Sequence, residues 1–299
     1  MLVLVTGANG FLGSRVAAHL RNQGMRVRGL VRRPESLAEN TVDEVTTGDL
    51  GDPESLRAAA SDVDAVVHCA NLPTADLALS LKVNGEGTAN LVDASLAAGC
   101  SRFVLISTQS VYEKSAHEPV TEEAPLCTEG TAYDLGKVAA ERAVHAGEAR
   151  GLQVVILRPP LILGAHPTST WGFKIAKMML DGRFPLVGDG SNPATYIHVE
   201  NLAHVVHLVL TAPQAVGQVY NTVDGYTTWR EYTDRFRKWL DLGPLPSVDP
   251  ATVSPAFAWR GYPVGEKLVR ELGYQPLYTY DDAMQETYAF LKASGLVKR

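Results

Sequence analysis

The sequence predicts an α/β protein: a doubly wound parallel sheet with a smaller, partly interleaved cap in its C-terminal half. Three observations carry this. Short apolar or β-branched runs alternate with helical patterns from residue 2 to residue 158, which is the mark of right-handed βαβ units. The run VDAVVHC at 63–69 is apolar almost throughout, as a strand covered on both faces must be. From Ile162 to Gly190 the alternation gives way to Gly, Pro and aromatics.

The 299 residues, 45% hydrophobic and 20% charged, suffice for one large core and a smaller appendage. We expect a sheet domain over 1–161 plus about 194–222, and a cap over 162–193 and 223–299. The net charge of −6 offers nothing to nucleic acid or an acidic membrane surface. No apolar run approaches the roughly 20 residues that span a bilayer. Residues 1–5 enter a strand at once, with no basic region or cleavage site. Cys69, Cys100 and Cys127 form no C-x-x-C pair, so a reducing, cytoplasmic setting is expected.

The first strand leads through 3–13, VLVTGANGFLG, into a helical pattern on Ser14, Val16, Ala17 and Leu20. Gly7, Asn9, Gly10, Phe11, Leu12 and Gly13 form a G-x-x-G-x-x-G loop. Its backbone can approach a pyrophosphate, which the helix N-terminus then faces. Arg26–Val31 reads as the second strand. Its end lacks the acid that binds a ribose 2′-OH and carries Arg32 and Arg33 instead. These suit a 2′-phosphate, favouring NADP(H) over NAD(H), or are two solvated loop residues.

Glu44–Thr47 reads as a third strand, after which Asp49 accepts from an adenine amino group or caps the helix near Pro53. The fourth strand, 63–69, ends in Cys69, Ala70 and Asn71, small or polar residues across which a ligand can lie. A helix is expected over 81–98, with Asn84 on it, then a strand over 103–107 with Thr108 just beyond. Residues 113–131 read as a loop. Tyr133 and Lys137, four apart on the next helix, share a face, and an adjacent ammonium lowers a phenol's pKa. Such a pair moves protons near neutral pH, or is a surface Tyr packed on a Lys stem. A sixth strand is expected over 154–157, before Arg158, Pro159 and Pro160. Ligands bind beyond the carboxyl ends of such strands, and Gly7, Arg32, Asp49, Ala70 and Thr108 all fall there.

In the second half, strands are expected at 196–199 and 218–222, and helices at 173–180, 202–210, 228–241 and 280–293. Trp171, Phe173, Tyr196, Tyr226 and Trp229 line a pocket or form a simple core. His166, before Pro167, reaches the site from the loop after the sixth strand or, the favoured reading, is a surface loop residue. His198, His204 and His207 have no Cys or acidic partner at ligand spacing, so they are assigned to packing or solvent and no metal is expected.

These motifs together resemble the extended short-chain dehydrogenase/reductases, the superfamily of NAD(P)-dependent epimerases, dehydratases and reductases. The resemblance rests on TGANGFLG at 6–13, GDL at 48–50, N-x-x-G-T-x-N at 84–90, STQSVY at 107–112, Tyr133-x-x-x-Lys137, LRPP at 157–160, YIHVENLA at 196–203 and LGY at 272–274. It implies a Rossmann-type sheet and a substrate-binding cap similar to the 3β-hydroxysteroid dehydrogenase and dihydroflavonol reductase branches. It also implies that Tyr133 is the acid/base, that Lys137 holds the nicotinamide ribose and lowers the tyrosine pKa, and that Thr108 bonds the reacting oxygen. Cofactor contacts would come from Gly7, Gly10, Gly13, Asp49, Leu50, Ala70, Asn84 and Pro160. A homodimer through the helices bearing Asn84 and Tyr133 is implied too.

The sequence departs from the family pattern in places. Gln109 and Ser110 replace the Asp-Glu pair of nucleotide-sugar dehydratases. Pro193, Ala194 and Thr195 stand where nucleotide-sugar enzymes carry a diphosphate-binding Arg, a role left to Arg183 or Arg260. The leading expectation is a reductase or dehydrogenase of a small or hydrophobic carbonyl or alcohol. The rivals are a nucleotide-sugar epimerase with tightly bound NAD and a non-catalytic dinucleotide sensor.

Overall fold

A computed structural model describes residues 1–38, 40–115, 119–253 and 258–297. Residues 116–118 of the expected loop, and 254–257 and 298–299 of the expected cap, lie outside this set. The central sheet has seven strands in the order Gln218–Asn221, Val154–Arg158, Arg102–Ile106, Ala65–His68, Leu2–Thr6, Arg26–Val31, Glu44–Thr47. Every pairing in it is parallel. Chain order reverses at Leu2–Thr6, and that reversal opens a crevice at the carboxyl ends of the strands.

The central strands are continuous apolar runs because both faces are covered. On one face, helix Phe11–Asn22 buries Val16, Ala17 and Leu20, and Val199–Thr211 packs beside it. On the other lie Pro53–Ala60, Gly87–Ala97 and Ala132–Glu148. Leu4, Leu91 and Leu105 on that side are fully buried, each contributing about 2 kcal/mol.

Strand bounds shift only slightly from expectation, but one strand belongs elsewhere. Pro193–His198 joins no strand of the large sheet. It pairs in parallel with Leu161–Leu163 and antiparallel with Gly225–Thr228. It therefore belongs to a separate three-stranded sheet, while the helix that follows it packs on the large sheet. A second cap core gathers Ile175, Met179, Tyr232, Phe236, Met284 and Leu291. It is built by helices Ile175–Leu180, Trp229–Trp239 and Tyr280–Ala293. Two-residue strands pair Leu186–Val187 with Ser247–Val248, and Pro119–Val120 with Tyr262–Pro263.

The helix expected over 81–98 starts earlier, at Leu77, and is interrupted by a wider π turn at Leu81–Glu86 before Gly87–Ala97. Among the described residues, no helix is long and apolar enough to cross a membrane.

Candidate active site

A cavity of about 1190 Å³ runs along the carboxyl edge of the sheet and under the cap. Its floor is the glycine loop. Gly7 has φ +65°, a conformation that favours glycine. A Cβ on Gly13 would sit 2.1 Å from the Gly7 carbonyl oxygen, so only glycine lets the helix start this close to the turn. Gly10 caps helix Phe11–Asn22 without a side chain, and no acidic residue occupies its first turn. The open N–H groups and the dipole therefore face the cavity as an anion site. Beneath the loop, Thr6 Oγ1 bonds the Ala70 amide at 3.1 Å and His68 Nδ1 at 2.7 Å, and His68 Nε2 meets Thr88 Oγ1 at 3.1 Å. Burial pushes His68 down to about 3, so a neutral imidazole ties the first and fourth strand ends together.

Gly7, Asn9, Gly10, Phe11, Leu12, Gly13, Arg32, Arg33, Asp49, Leu50, Cys69, Ala70, Asn71 and Pro160 all border the cavity, with Thr108, Tyr133 and Lys137. Asp49 does not cap the next helix. Its Oδ1 accepts from Gly51 N, and Asp52 is the cap. Asn84 is the exception to the expected contacts. Its amide is spent inside the protein, accepting from Leu72 N at 2.8 Å and donating to Leu72 O and Ser80 Oγ at 3.0 Å. It braces the loop that carries Asn71 rather than bordering the cavity.

Helix Ala132–Glu148 presents Tyr133 and Lys137. It is started by a capping box in which Thr131 and Asp134 exchange side-chain-to-backbone bonds. Burial pushes the Tyr133 phenol up to about 12; Asp134 adds to the rise, and a hydrogen bond with Thr108 opposes it. Burial pulls Lys137 down to about 8, against the pull of Cys69 and Glu141, and its Nζ donates to Ile106 O at 2.8 Å. The expected lowering of the phenol by the Lys137 ammonium does not figure among the causes: burial sets the direction, and the one opposing influence is the hydrogen bond with Thr108. The Tyr133 phenol keeps its proton through the neutral range, and the Lys137 ammonium is held against the sheet by Ile106 O.

One layer below lies a network that motif reading misses. Glu141, fully buried, grips Arg158 through Oε2–Nη2 at 2.7 Å and Oε1–Nε at 3.0 Å. Ser107 Oγ also bonds Glu141. Arg158 continues to Tyr112 OH and Glu122 O at 3.0 Å, and Tyr112 OH donates to Asn221 Oδ1 at 2.6 Å. The sequence signal was present: Tyr133, Lys137 and Glu141 recur every fourth residue along one helix face.

The second half of the chain adds aromatic side chains to the same cavity that Thr108 and Tyr133 border. Of the five aromatics considered, only Trp171 and Trp229 line it, with ring centroids 5.5 Å apart. Phe184 and Trp259, in segments without periodicity, join them. Phe173 packs on Phe290, Tyr196 on Tyr280, and Tyr226 is exposed. Gln109, Ser110 and Arg183 border the cavity; Arg260 does not, and bonds Asn192 instead. His166 stacks on Phe11 outside it.

A family model described as the NAD-dependent epimerase/dehydratase family matches residues 3–222. The chain is 34% identical over 238 residues to a 2-alkyl-3-oxoalkanoate reductase of Stenotrophomonas maltophilia, covering 75% of this chain and 71% of that one. It is 30% identical over 311 residues to a dTDP-glucose 4,6-dehydratase of Streptomyces antibioticus, covering 96% and 91%. The solved dTDP-glucose 4,6-dehydratase of Streptomyces venezuelae, with NAD bound, matches with a TM-score of 0.84 at 27% identity over 98% of this chain and 97% of that one.

Proposed function

Because the chain belongs to the NAD-dependent epimerase/dehydratase family, enzymes of the extended short-chain dehydrogenase/reductase type, we propose that it is an NADP(H)-preferring reductase or dehydrogenase of a small apolar carbonyl or secondary alcohol. The observation that carries the substrate class is that Trp171, Phe184, Trp229 and Trp259 line the same cavity as Thr108 and Tyr133. The similarity to a 2-alkyl-3-oxoalkanoate reductase supports it.

The glycine loop fits a dinucleotide: the space a Cβ would fill at Gly13 is already taken by backbone, and the helix end above it is uncapped. A bound nicotinamide supplies or accepts the hydride. Gly7, Asn9, Gly10, Phe11, Leu12 and Gly13 hold the pyrophosphate, and Asp49, Leu50, Cys69, Ala70, Asn71 and Pro160 line the nucleoside sites. Arg32 and Arg33 are exposed on the cavity wall, and neither makes an ion pair among the described residues, which leaves both free for a 2′-phosphate. Tyr133 Oη gives its proton to the carbonyl oxygen as that carbon is reduced and recovers it in the reverse direction. Thr108 Oγ1 orients the same oxygen, while Lys137 positions the ribose and steadies the developing phenolate.

We further assign 1–161 with the helix Val199–Thr211 and the strand Gln218–Asn221 to cofactor binding, and the rest to the cap. We also infer a homodimer in the cytoplasm; Leu77, Leu79 and Leu81 expose apolar surface on the helix that carries Asn84.

One observation supports a second reading, a nucleotide-sugar epimerase: Arg183, paired with Asp181 at 2.6 Å, borders the cavity and offers it a cation for a diphosphate. Dialysis separates the two. The reductase loses all nicotinamide absorbance and is restabilised by added NADPH, whereas a persistent bound NAD with no NADPH response would sink the reductase reading. Tyr133→Phe should cut turnover at least about 100-fold with NADPH affinity kept; unchanged turnover would refute the acid/base assignment.

A further inference from the structure

Helix Phe11–Asn22 and helix Val199–Thr211 lie side by side against the sheet; the first starts at the cavity, but His19, His204 and His207 do not line it. Arg15 and Glu200 join them by an ion pair at 3.2 Å. Four residues further along each helix the seam changes character. His19 faces His204 and His207, with ring centroids at 5.7 and 6.0 Å. The ligand atoms of the three imidazoles lie within 4.8 Å of one another. His19 Nε2 is buried and has no hydrogen-bond partner among the described residues, an unusual state for a polar atom. The rings themselves remain partly exposed, so an ion can reach them from solvent.

We propose that His19, His204 and His207 bind a borderline divalent transition-metal ion, zinc foremost, through three imidazole nitrogens. His204 and His207, three apart, project from one helix face, and His19 closes the set from the other helix. A tetrahedral zinc ion with bonds of about 2.0–2.1 Å needs nitrogens roughly 3.3 Å apart, a closure that ring rotation supplies. The set has no carboxylate, which selects against magnesium and calcium and for zinc, nickel or copper. Three protein ligands leave a fourth position for water. Burial, and for His19 and His207 the neighbouring imidazoles, keep all three rings below the ordinary histidine range, so their lone pairs are available at neutral pH. The bound ion would pin the helix that begins at the glycine loop to the helix that follows the cap strand Pro193–His198.

The test uses the full-length, tag-free protein with metal salts alone. Zinc chloride should raise the midpoint of thermal unfolding by roughly 5 °C at a hundredfold excess over Kd, and magnesium chloride should not. Cobalt(II) should give the intense visible bands of a tetrahedral nitrogen site. Both effects should vanish in His19→Gln and in His204→Gln, each checked for native circular dichroism. Independently of any variant, a wild-type protein with no zinc shift or no tetrahedral cobalt bands overturns the proposal. So does a response that survives in either folded variant.

Discussion

Arg32 and Arg33 close the second strand with exposed guanidinium groups and no neighbouring acid at the ribose position. A charge-assisted bond to a 2′-phosphate is worth about 1.5–3 kcal/mol, roughly 10- to 100-fold in binding. Arg32→Ala should therefore raise the KM for NADPH by about that factor and leave the KM for NADH nearly unchanged. Steady-state kinetics with both cofactors decides this, and equal effects would return Arg32 to the role of a solvated loop residue. Side chains of this kind were legible because a glycine loop or a strand end is written in a few contiguous residues. Asn84 sat inside a recognisable motif, yet its amide turned inward to Leu72, since a motif records spacing and not the direction of a rotamer. His19 was invisible as a partner because its companions come from the far end of the chain.

Along helix Ala132–Glu148, the residues that touch the cavity and the residue that anchors the helix form one stripe: Tyr133, Lys137, Glu141. Removing one member of a buried, hydrogen-bonded ion pair strands the other charge, at a cost of about 3–5 kcal/mol. Glu141→Ala should lose that much in urea unfolding because Arg158 is left buried without its carboxylate. A loss below about 1 kcal/mol would mean that Arg158 finds another partner or reaches water. Elements of the large sheet were readable almost to the residue, since strands buried on both faces announce themselves as apolar runs. Cap elements were not: two-residue strands such as Leu186–Val187 have no period to detect. The π turn at Leu81–Glu86 departs from a helix that local propensity describes as regular.

The molecule as a whole carries its acid sensitivity in its centre. His68 is buried and neutral, with its pKa pushed from 6.5 down to about 3. Between those values the unfolded chain takes up a proton that the native protein refuses, so stability falls as the pH drops through that window. The loss is roughly 2 kcal/mol by pH 5 and roughly 4 kcal/mol by pH 3. His19, His204 and His207 are shifted in the same direction and add to it. Urea titrations from pH 7 to pH 5 should show the decline, and His68→Gln should flatten it; an unchanged slope in that variant would remove His68 from the account. The change of pattern after Ile162 was legible as a break in alternation, but the sheet that residues 193–198 join depends on strand pairing over long range, which no local pattern encodes. Such pairing also sets an order of events at the ribosome. The strand Gln218–Asn221, which covers the edge of Val154–Arg158, emerges only after the whole intervening cap segment has been made. Until then the growing chain displays an open, apolar strand edge, the kind that recruits neighbouring chains. The nascent protein is thus most exposed to misassociation during that interval, when holdase chaperones would have their natural point of engagement.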